Sequence, residues 1–245
     1  MKTFRSIWGL AIALFVLNMS ATSCSSGNTS VTTGDVSYVD ADLQPKPFNV
    51  IDVETVADVY YTQNNGDEHH VRIDYSAIKD EKVLQQLKEK LKVVYREGKV
   101  VIGIKGKIVG KSSLKHSLKI YITSPDLVKI TQEGVGNFYS DYINSDKLEI
   151  DNEGVGSVEI KKVLANKLDI DNEGVGSINI GRFEGDRLVI DNEGVGKVKA
   201  DVDCQSVAAT LEGVGSITLT GVTRHLQKNK DGVGSIHVKD LKIAK

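Results

Sequence analysis

The stretch Leu148-Glu149-Ile150-Asp151-Asn152-Glu153-Gly154-Val155-Gly156-Ser157-Val158-Glu159-Ile160 recurs without a gap as Leu168 to Ile180 and again as Leu188 to Ala200. Its central Gly-Val-Gly occurs six times, at 134–136, 154–156, 174–176, 194–196, 213–215 and 232–234, with spacings of 20, 20, 20, 19 and 19 residues. Twelve of the 23 glycines lie in these tripeptides, so the glycine content marks a repeated unit and not loose linker. Leu148/Ile150 and Val158/Ile160 are two apart, the spacing of strands whose alternate residues point inward. Glu-Gly-Val-Gly between them is a corner, where glycine tolerates backbone angles closed to other residues. A second bend is expected over 161–166, because the later units carry Gly181 and Gly185, or Gly221, there.

One unit is therefore expected to run strand, corner, strand, corner, and neither strand can bury its apolar face alone. Stacking consecutive units gives each strand a partner and each apolar face a neighbour. The predicted fold is all-β, a parallel β-helix or β-solenoid with about 20 residues per coil. Leucine-rich repeats share the period but need Leu-x-x-Leu-x-Leu, which is missing. The calcium-binding β-roll needs Asp after its glycines, where this chain has Ser157, Ser177, Ser216 and Ser235.

Upstream of the repeat, alternating segments at 50–54, 57–62 and 71–75 read as strands, with Asn65-Gly66 as a turn signal. Further strands are expected at 92–95, 100–104, 118–122 and 127–130, with Pro125 at a bend. Residues 80–91 space Leu84, Leu87 and Leu91 as one short amphipathic helix, which would lie across the open end of the solenoid and cover a sheet edge otherwise free to pair with other chains.

The order Phe48-Asn49-Val50-Ile51-Asp52-Val53, Ala57-Asp58-Val59-Tyr60-Tyr61-Thr62-Gln63 and Leu118-Lys119-Ile120-Tyr121-Ile122-Thr123-Ser124-Pro125-Asp126-Leu127, ahead of the glycine repeats, resembles the autotransporter-adhesin head domain, also called the GIN domain. That domain, of unknown function, is carried by envelope proteins of Bacteroidetes, often lipoproteins. The resemblance covers residues 48–240 and implies a β-helical fold, while its adhesin label is a statement about function that fold alone does not carry. Glu-Gly-Val-Gly stands here where the family more often has Ser-Gly-Ser-Gly, which makes the corners more acidic.

The beginning of the chain is chemically distinct. Both methionines, the single tryptophan and two of the five phenylalanines lie in the first twenty positions, and no acid occurs before Asp35. Lys2 and Arg5 precede the apolar run Ile7–Leu17, which is too short to cross a bilayer as a helix, and then Ala21-Thr22-Ser23-Cys24. This is the layout of a secretory signal, and the cysteine after small residues resembles a bacterial lipobox with Ala in place of the usual Leu. The expected organisation is a lipoprotein signal peptide over 1–23, lipidation at Cys24 and a flexible tether over 24–47. A single solenoid domain follows over 48–245, its N-terminal coils and cap at 48–126 and its glycine-repeat coils at 127–245. Such a chain sits in the cell envelope as an outer-membrane lipoprotein, held to the membrane by its lipid and facing either the periplasm or the medium.

With 31 basic and 33 acidic residues, the chain has no excess charge to grip nucleic acid. Cys204 has no His or second Cys nearby and reads as a core residue. The carboxylates stack at two registers, Asp151, Asp171 and Asp191, and Glu153, Glu173 and Glu193. Coils about 4.8 Å apart bring like charges into repulsion of roughly 0.9 kcal/mol even in water. Ca²⁺ bridging these six residues is one answer. The other is local neutralisation by Lys147, Lys167 and Arg187, with Asn152, Asn172 and Asn192 stacked as an amide ladder. A polysaccharide-active enzyme would need long loops to wall a groove, and the repeats leave none. His69-His70 is expected at a solvated hairpin tip. The sequence therefore points to a non-catalytic envelope protein with a binding, adhesion or structural role and no cofactor. Glycan or envelope protein would be its partner, and Tyr139 and Tyr142 are the ligand-contact candidates.

Overall fold

In the computed structural model, which describes residues 46–109, 118–238 and 240–244 and the backbone of 38–40, each repeat forms one coil of a parallel β-solenoid of about six turns. The expected signal peptide, Cys24 and most of the tether lie outside the described residues. Strands β9 (Phe138–Asn152), β10 (Val155–Asn172), β11 (Val175–Asn192), β12 (Val195–Leu211) and β13 (Val214–Lys230) each wrap most of one coil. Neighbours pair parallel, so that Leu148 meets Leu168, Leu168 meets Leu188 and Leu188 meets Val207.

The coil has three sides, where two were expected. In β10 the inward residues are Val158, Ile160, Val163, Ala165, Leu168, Ile170 and Asn172. Their spacing of two is broken twice by a step of three, and each break turns the chain. The region read as one bend thus holds a short strand at 163–165 between two bends; its apolar pair Val163/Ala165 is flanked by Lys161, Lys162, Asn166 and Lys167, which hid the alternation. The first of the two 19-residue coils loses its residue at a bend, where the β11–β12 register shifts between Ile180 and Phe183, and the next coil keeps the shorter register.

At the glycine corner, successive backbones touch. A Cβ on Gly154 would lie 2.1 Å from the Gly134 carbonyl oxygen, and one on Gly156 would lie 1.7 Å from that of Gly136, while Gly156 also has φ +154°. Val155 between them is apolar in every repeat yet points outward. It forms an external ladder with Val175, Val195 and Val214, each half exposed. Inside the coil, Asn152, Asn172 and Asn192 are fully buried; Asn152 Nδ2 donates to Asn172 Oδ1 at 2.6 Å, and Asn172 Nδ2 to Asn192 Oδ1 at 2.7 Å. The expected amide ladder is present, bounded by Gln132 below and Leu211 above.

The N-terminal coils do not stack in chain order. Strands β1 (Tyr38–Asp40), β2 (Val50–Val53), β3 (Asp58–Gln63) and β4 (His70–Asp74) precede helix α1 (Glu81–Lys90), followed by β5 (Leu91–Arg96), β6 (Lys99–Ile104), β7 (Lys119–Ser124) and β8 (Lys129–Gln132). β2 lies between β6 and β8, and β3 between β7 and β9. The coil at 50–63 is therefore sandwiched, with β6 and β7, which come later in the chain, on its outer side. Asn65-Gly66 consequently does not close a hairpin: β7 separates β3 from β4, and the loop passes over its end.

Antiparallel strands finish this end, β5 on β6 on one side, and β4 on β7 with β1 on β4 on another. Because β1 pairs in this way, the sheet already begins within the segment expected to be tether. Helix α1 joins β4 to the edge strand β5 and so links two sides of this end. Asp80 caps it by accepting from the Lys82 and Val83 amides, and Val83 and Leu87 are its buried residues, with Leu84 at the margin. At the far end β14 (Val233–His237) and β15 (Leu241–Ile243) pair with β13. There Lys228 and Lys230 occupy the columns of Ile190/Ala209 and Asn192/Leu211. Charges at core-column positions of a last coil deter a further strand from adding. Cys204 is buried, its thiol pushed up by burial, with Sγ 3.7 Å from Thr223 Oγ1.

Candidate functional site

Where the N-terminal coils meet the first glycine coil, outward positions of three adjacent strands all carry tyrosine. Tyr60 on β3 stacks on Tyr121 of β7 at 5.2 Å between ring centroids and on Tyr139 of β9 at 5.1 Å. Arg72 of β4 covers the far side of Tyr121, its guanidinium 4.5 Å from the ring centroid. One residue inward, Tyr61 is buried with its hydroxyl 3.0 Å from Ser124 Oγ, and burial pushes its pKa up to about 12. Phe138, grouped with Tyr139 and Tyr142 in the sequence, belongs to the core and stacks on Tyr61. The ladder was not anticipated beyond Tyr139. Its signal was the aligned apolar-Tyr-apolar-Thr pattern of Val59-Tyr60-Tyr61-Thr62 and Ile120-Tyr121-Ile122-Thr123.

Tyr142 behaves differently from Tyr139. It is 41% exposed and lies between two shallow clefts. One, of about 230 Å³, runs along Tyr60, Thr62, Tyr139 and Asp141. The other, of about 430 Å³, is lined by Asn64, Asn65, Asp67, Pro125 and Asn144. Gln63 fixes the boundary between them: its Nε2 donates to the carbonyls of Pro125 and Asn144, both at 2.8 Å, and its Oε1 accepts from the Asn144 amide at 2.6 Å. The loop beyond is ordered by Asn64, whose Oδ1 accepts from Gly66 N at 3.1 Å and whose Nδ2 donates to the Glu68 carbonyl at 2.7 Å. His69 is not at a solvated tip: its Nδ1 accepts from Phe48 N at 3.3 Å, the two rings are 4.9 Å apart, and burial lowers its pKa.

The acidic columns lie on the glycine coils as expected, with Asp151, Asp171 and Asp191 in register and Glu153, Glu173 and Glu193 beside the corners. Their neutralisation is not as expected. Lys147 pairs with Glu149 and Asp169, and Lys167 with Asp169. Two residues along a strand advance about 6.6 Å and four about 13 Å, so lysines at 147 and 167 reach the nearer acidic column and not the one at 151 and 171. Asp151 is held by Lys129. Asp171, in mid-column, is pushed up to about 6, first by burial and then by Glu173, Asp151, Glu193 and Asp191. Among the described residues, no group of three or more His, Cys, Asp or Glu side chains is placed to hold a metal ion.

A third concavity, of about 600 Å³, follows the outer side of β5, β6 and β2. Lys92, Arg96, Lys99 and Lys105 share it with Asp52, Glu54 and Glu97, and Lys99 Nζ lies 3.1 Å from Asp52 Oδ2, so its charges largely offset one another. No helix among the described residues is long and apolar enough to cross a membrane.

Comparison with known proteins places this geometry. Residues 47–182 match the sequence profile of the family described as "Putative auto-transporter adhesin, head GIN domain". Among solved structures, one described as a "putative adhesin" from Bacteroides fragilis is 25% identical, with a TM-score of 0.67 over 86% of this chain and 98% of that one. Similarly described proteins from Parabacteroides distasonis and Parabacteroides merdae are 16% and 17% identical. Their TM-scores are 0.44 and 0.43, over 85% and 86% of this chain and 96% and 97% of theirs. No curated protein matches the chain.

Proposed function

The chain belongs to the head GIN domain family, and from that premise we propose that it is a non-catalytic adhesion protein of the bacterial cell envelope, anchored by a lipid on Cys24. The observation that carries this reading is the flank at Tyr142. The glycine coils repeat many of the same side chains from one level to the next, whereas here an exposed ring, amides and a carboxylate from different coils border two open clefts. Shallow open clefts on a stiff in-register stack suit contact with a large partner. They do not suit the enclosure of a small substrate. Cys24 and the serine- and threonine-rich segment after it supply an anchor and a spacer, which such a module needs to reach beyond its membrane.

Protease treatment of intact cells tests the reading. Digestion of the chain on intact cells, with loss of adherence, supports it. Protection until the outer membrane is opened places the contact surface in the periplasm and overturns adhesion to other cells. A Cys24→Ser variant should leave the membrane fraction and appear soluble; retention in the membrane overturns lipidation as the anchor.

A further inference from the structure

We propose that the Tyr142 flank is a binding site for a neutral glycan, an oligosaccharide of uncharged hexopyranose units. The proposal rests on the adhesion reading and gives that reading its ligand class.

Three features of the flank converge on sugar chemistry. The first is an open ring. Tyr60, Tyr121 and Tyr139 cover one another, and Arg72 covers the end of their stack. Tyr142 has no ring stacked on it among the described residues, its register partner Lys162 on β10 is held by Glu184 at 3.0 Å, and it borders both clefts. An aromatic face is the negative pole of the ring quadrupole, and the C–H face of a pyranose presents weakly positive hydrogens to it.

The second feature is hydrogen-bonding capacity at the rim. The side chains of Asn65, Asp67 and Asn144 line the larger cleft, and among the described residues none of the three makes a hydrogen bond. Amides both donate and accept, and a carboxylate accepts twice; together they match vicinal hydroxyls, each of which can donate and accept. The supporting bonds are already made, by Gln63 to Pro125 and Asn144 and by Asn64 to Gly66 and Glu68. Little ordering of the loop is left for the ligand to bring about.

The third feature is charge. Neither cleft is lined by Lys or Arg. Asp67 and Asp141 are the acidic side chains at the rim, and Asp141 has Lys161 at 2.8 Å. A sialylated, uronate or phosphorylated glycan in the larger cleft would meet Asp67 with no Lys or Arg of the lining to offset it. A neutral chain meets no such opposition.

The test applies the full chain, with Tyr142→Ala and Asn144→Ala variants, to an array of neutral hexose oligosaccharides and their sialylated and uronate-containing counterparts. Adherence to intact cells is measured in parallel. The full chain should bind neutral glycans in preference to anionic ones. Tyr142→Ala should weaken that binding about ten-fold or more, and Asn144→Ala by a smaller factor. The melting temperatures should be unchanged, because both side chains are exposed. Equal binding by Tyr142→Ala overturns the site, and preference for anionic glycans overturns the ligand class. Adherence to cells with no binding to any glycan overturns this inference and leaves the adhesion reading standing. Loss of both overturns the adhesion reading as well.

Discussion

The glycine coils and the N-terminal coils use the same parallel stacking to opposite effect. In the glycine coils a side chain meets a copy of itself: Leu148 on Leu168, Asn152 on Asn172, Asp151 on Asp171. In the N-terminal coils it meets something else. Ile51 lies between Val100 and Ile130, Asp52 pairs with Lys99, and Tyr60 sits between rings from two strands remote in sequence. Self-stacking suits apolar and amide side chains, which attract their own kind, and penalises charges. Where a column does hold one chemistry, unlike groups meet only from neighbouring columns, as Lys147 meets Asp169. Unlike groups converge where the two regimes join, and there Tyr142 from β9 borders the Gln63–Asp67 loop of the N-terminal part.

Glycine gives the largest effect with which to break this contrast. Gly156→Ala would place a methyl group 1.7 Å from the Gly136 oxygen at a φ of +154° that alanine rarely adopts. Strain and overpacking together should cost about 3 kcal/mol or more. A Cβ on Gly66, in the loop of the N-terminal part, would meet nothing within 4 Å, and Gly66→Ala should stay within about 0.5 kcal/mol of the parent. Urea unfolding of both variants measures the difference. Equal stability would mean that the corner backbones do not stack as closely as described.

The same contrast explains what could be read in advance. The repeat made the coil legible, because Leu148/Ile150 and Val158/Ile160 show their parity at every level. The third side at 163–165 was hidden: its inward pair is Val163/Ala165 in one coil but Phe183/Gly185 in the next, so the column has no constant chemistry. Val155 misled in the other direction, being apolar in each repeat and yet outside. For the site, Tyr139 and Tyr142 were legible as an aromatic cluster in a chain poor in aromatics. Tyr60 and Tyr121 were not tied to them, because nothing in chain order places 119–124 beside 58–63 with 138–140 on the other side. Charge pairing failed for a simpler reason: face was considered, and distance along the strand was not.

The amide ladder offers a middle-sized effect. Asn172→Ala removes the acceptor of Asn152 and the donor to Asn192 inside a fully buried column, leaving both neighbours with an unpaired polar group. The expected cost is about 2–3 kcal/mol. Replacing Asn152, Asn172 and Asn192 together by Leu should cost less than the single change, since no broken ladder remains and the same column already accepts Leu211 in the next coil. Thermal unfolding of the two variants reverses the ranking that a count of mutations would give. If the triple variant is the less stable, the ladder contributes more than its own satisfaction, for example by holding coil register.

Charge is the smallest effect, and its sign is set by where self-stacking leaves acids without partners. Asp171 titrates near 6 in the folded chain against an ordinary 3.8, and burial with like neighbours also raises Glu133 and Glu193. A carboxyl raised on folding binds more protons in the native state, so stability falls as pH rises between about 4 and 6 and recovers on acidification. Glu149 acts oppositely: Lys129 and Lys147 hold it below its ordinary value, so its contribution is present above about 4.5 and is lost as pH falls through the depressed value. Going from pH 7.5 to 5, the raised group therefore dominates, and stability should increase by on the order of 1 kcal/mol for a half-buried carboxylate partly screened by solvent. Asp171→Asn should be more stable than the parent at pH 7.5 and lose most of the slope. A calcium ion on the column would hold Asp171 ionised and reverse the slope when added at millimolar concentration. An unchanged profile with calcium, and a flat one for Asp171→Asn, would identify uncompensated repulsion between stacked acids as the source.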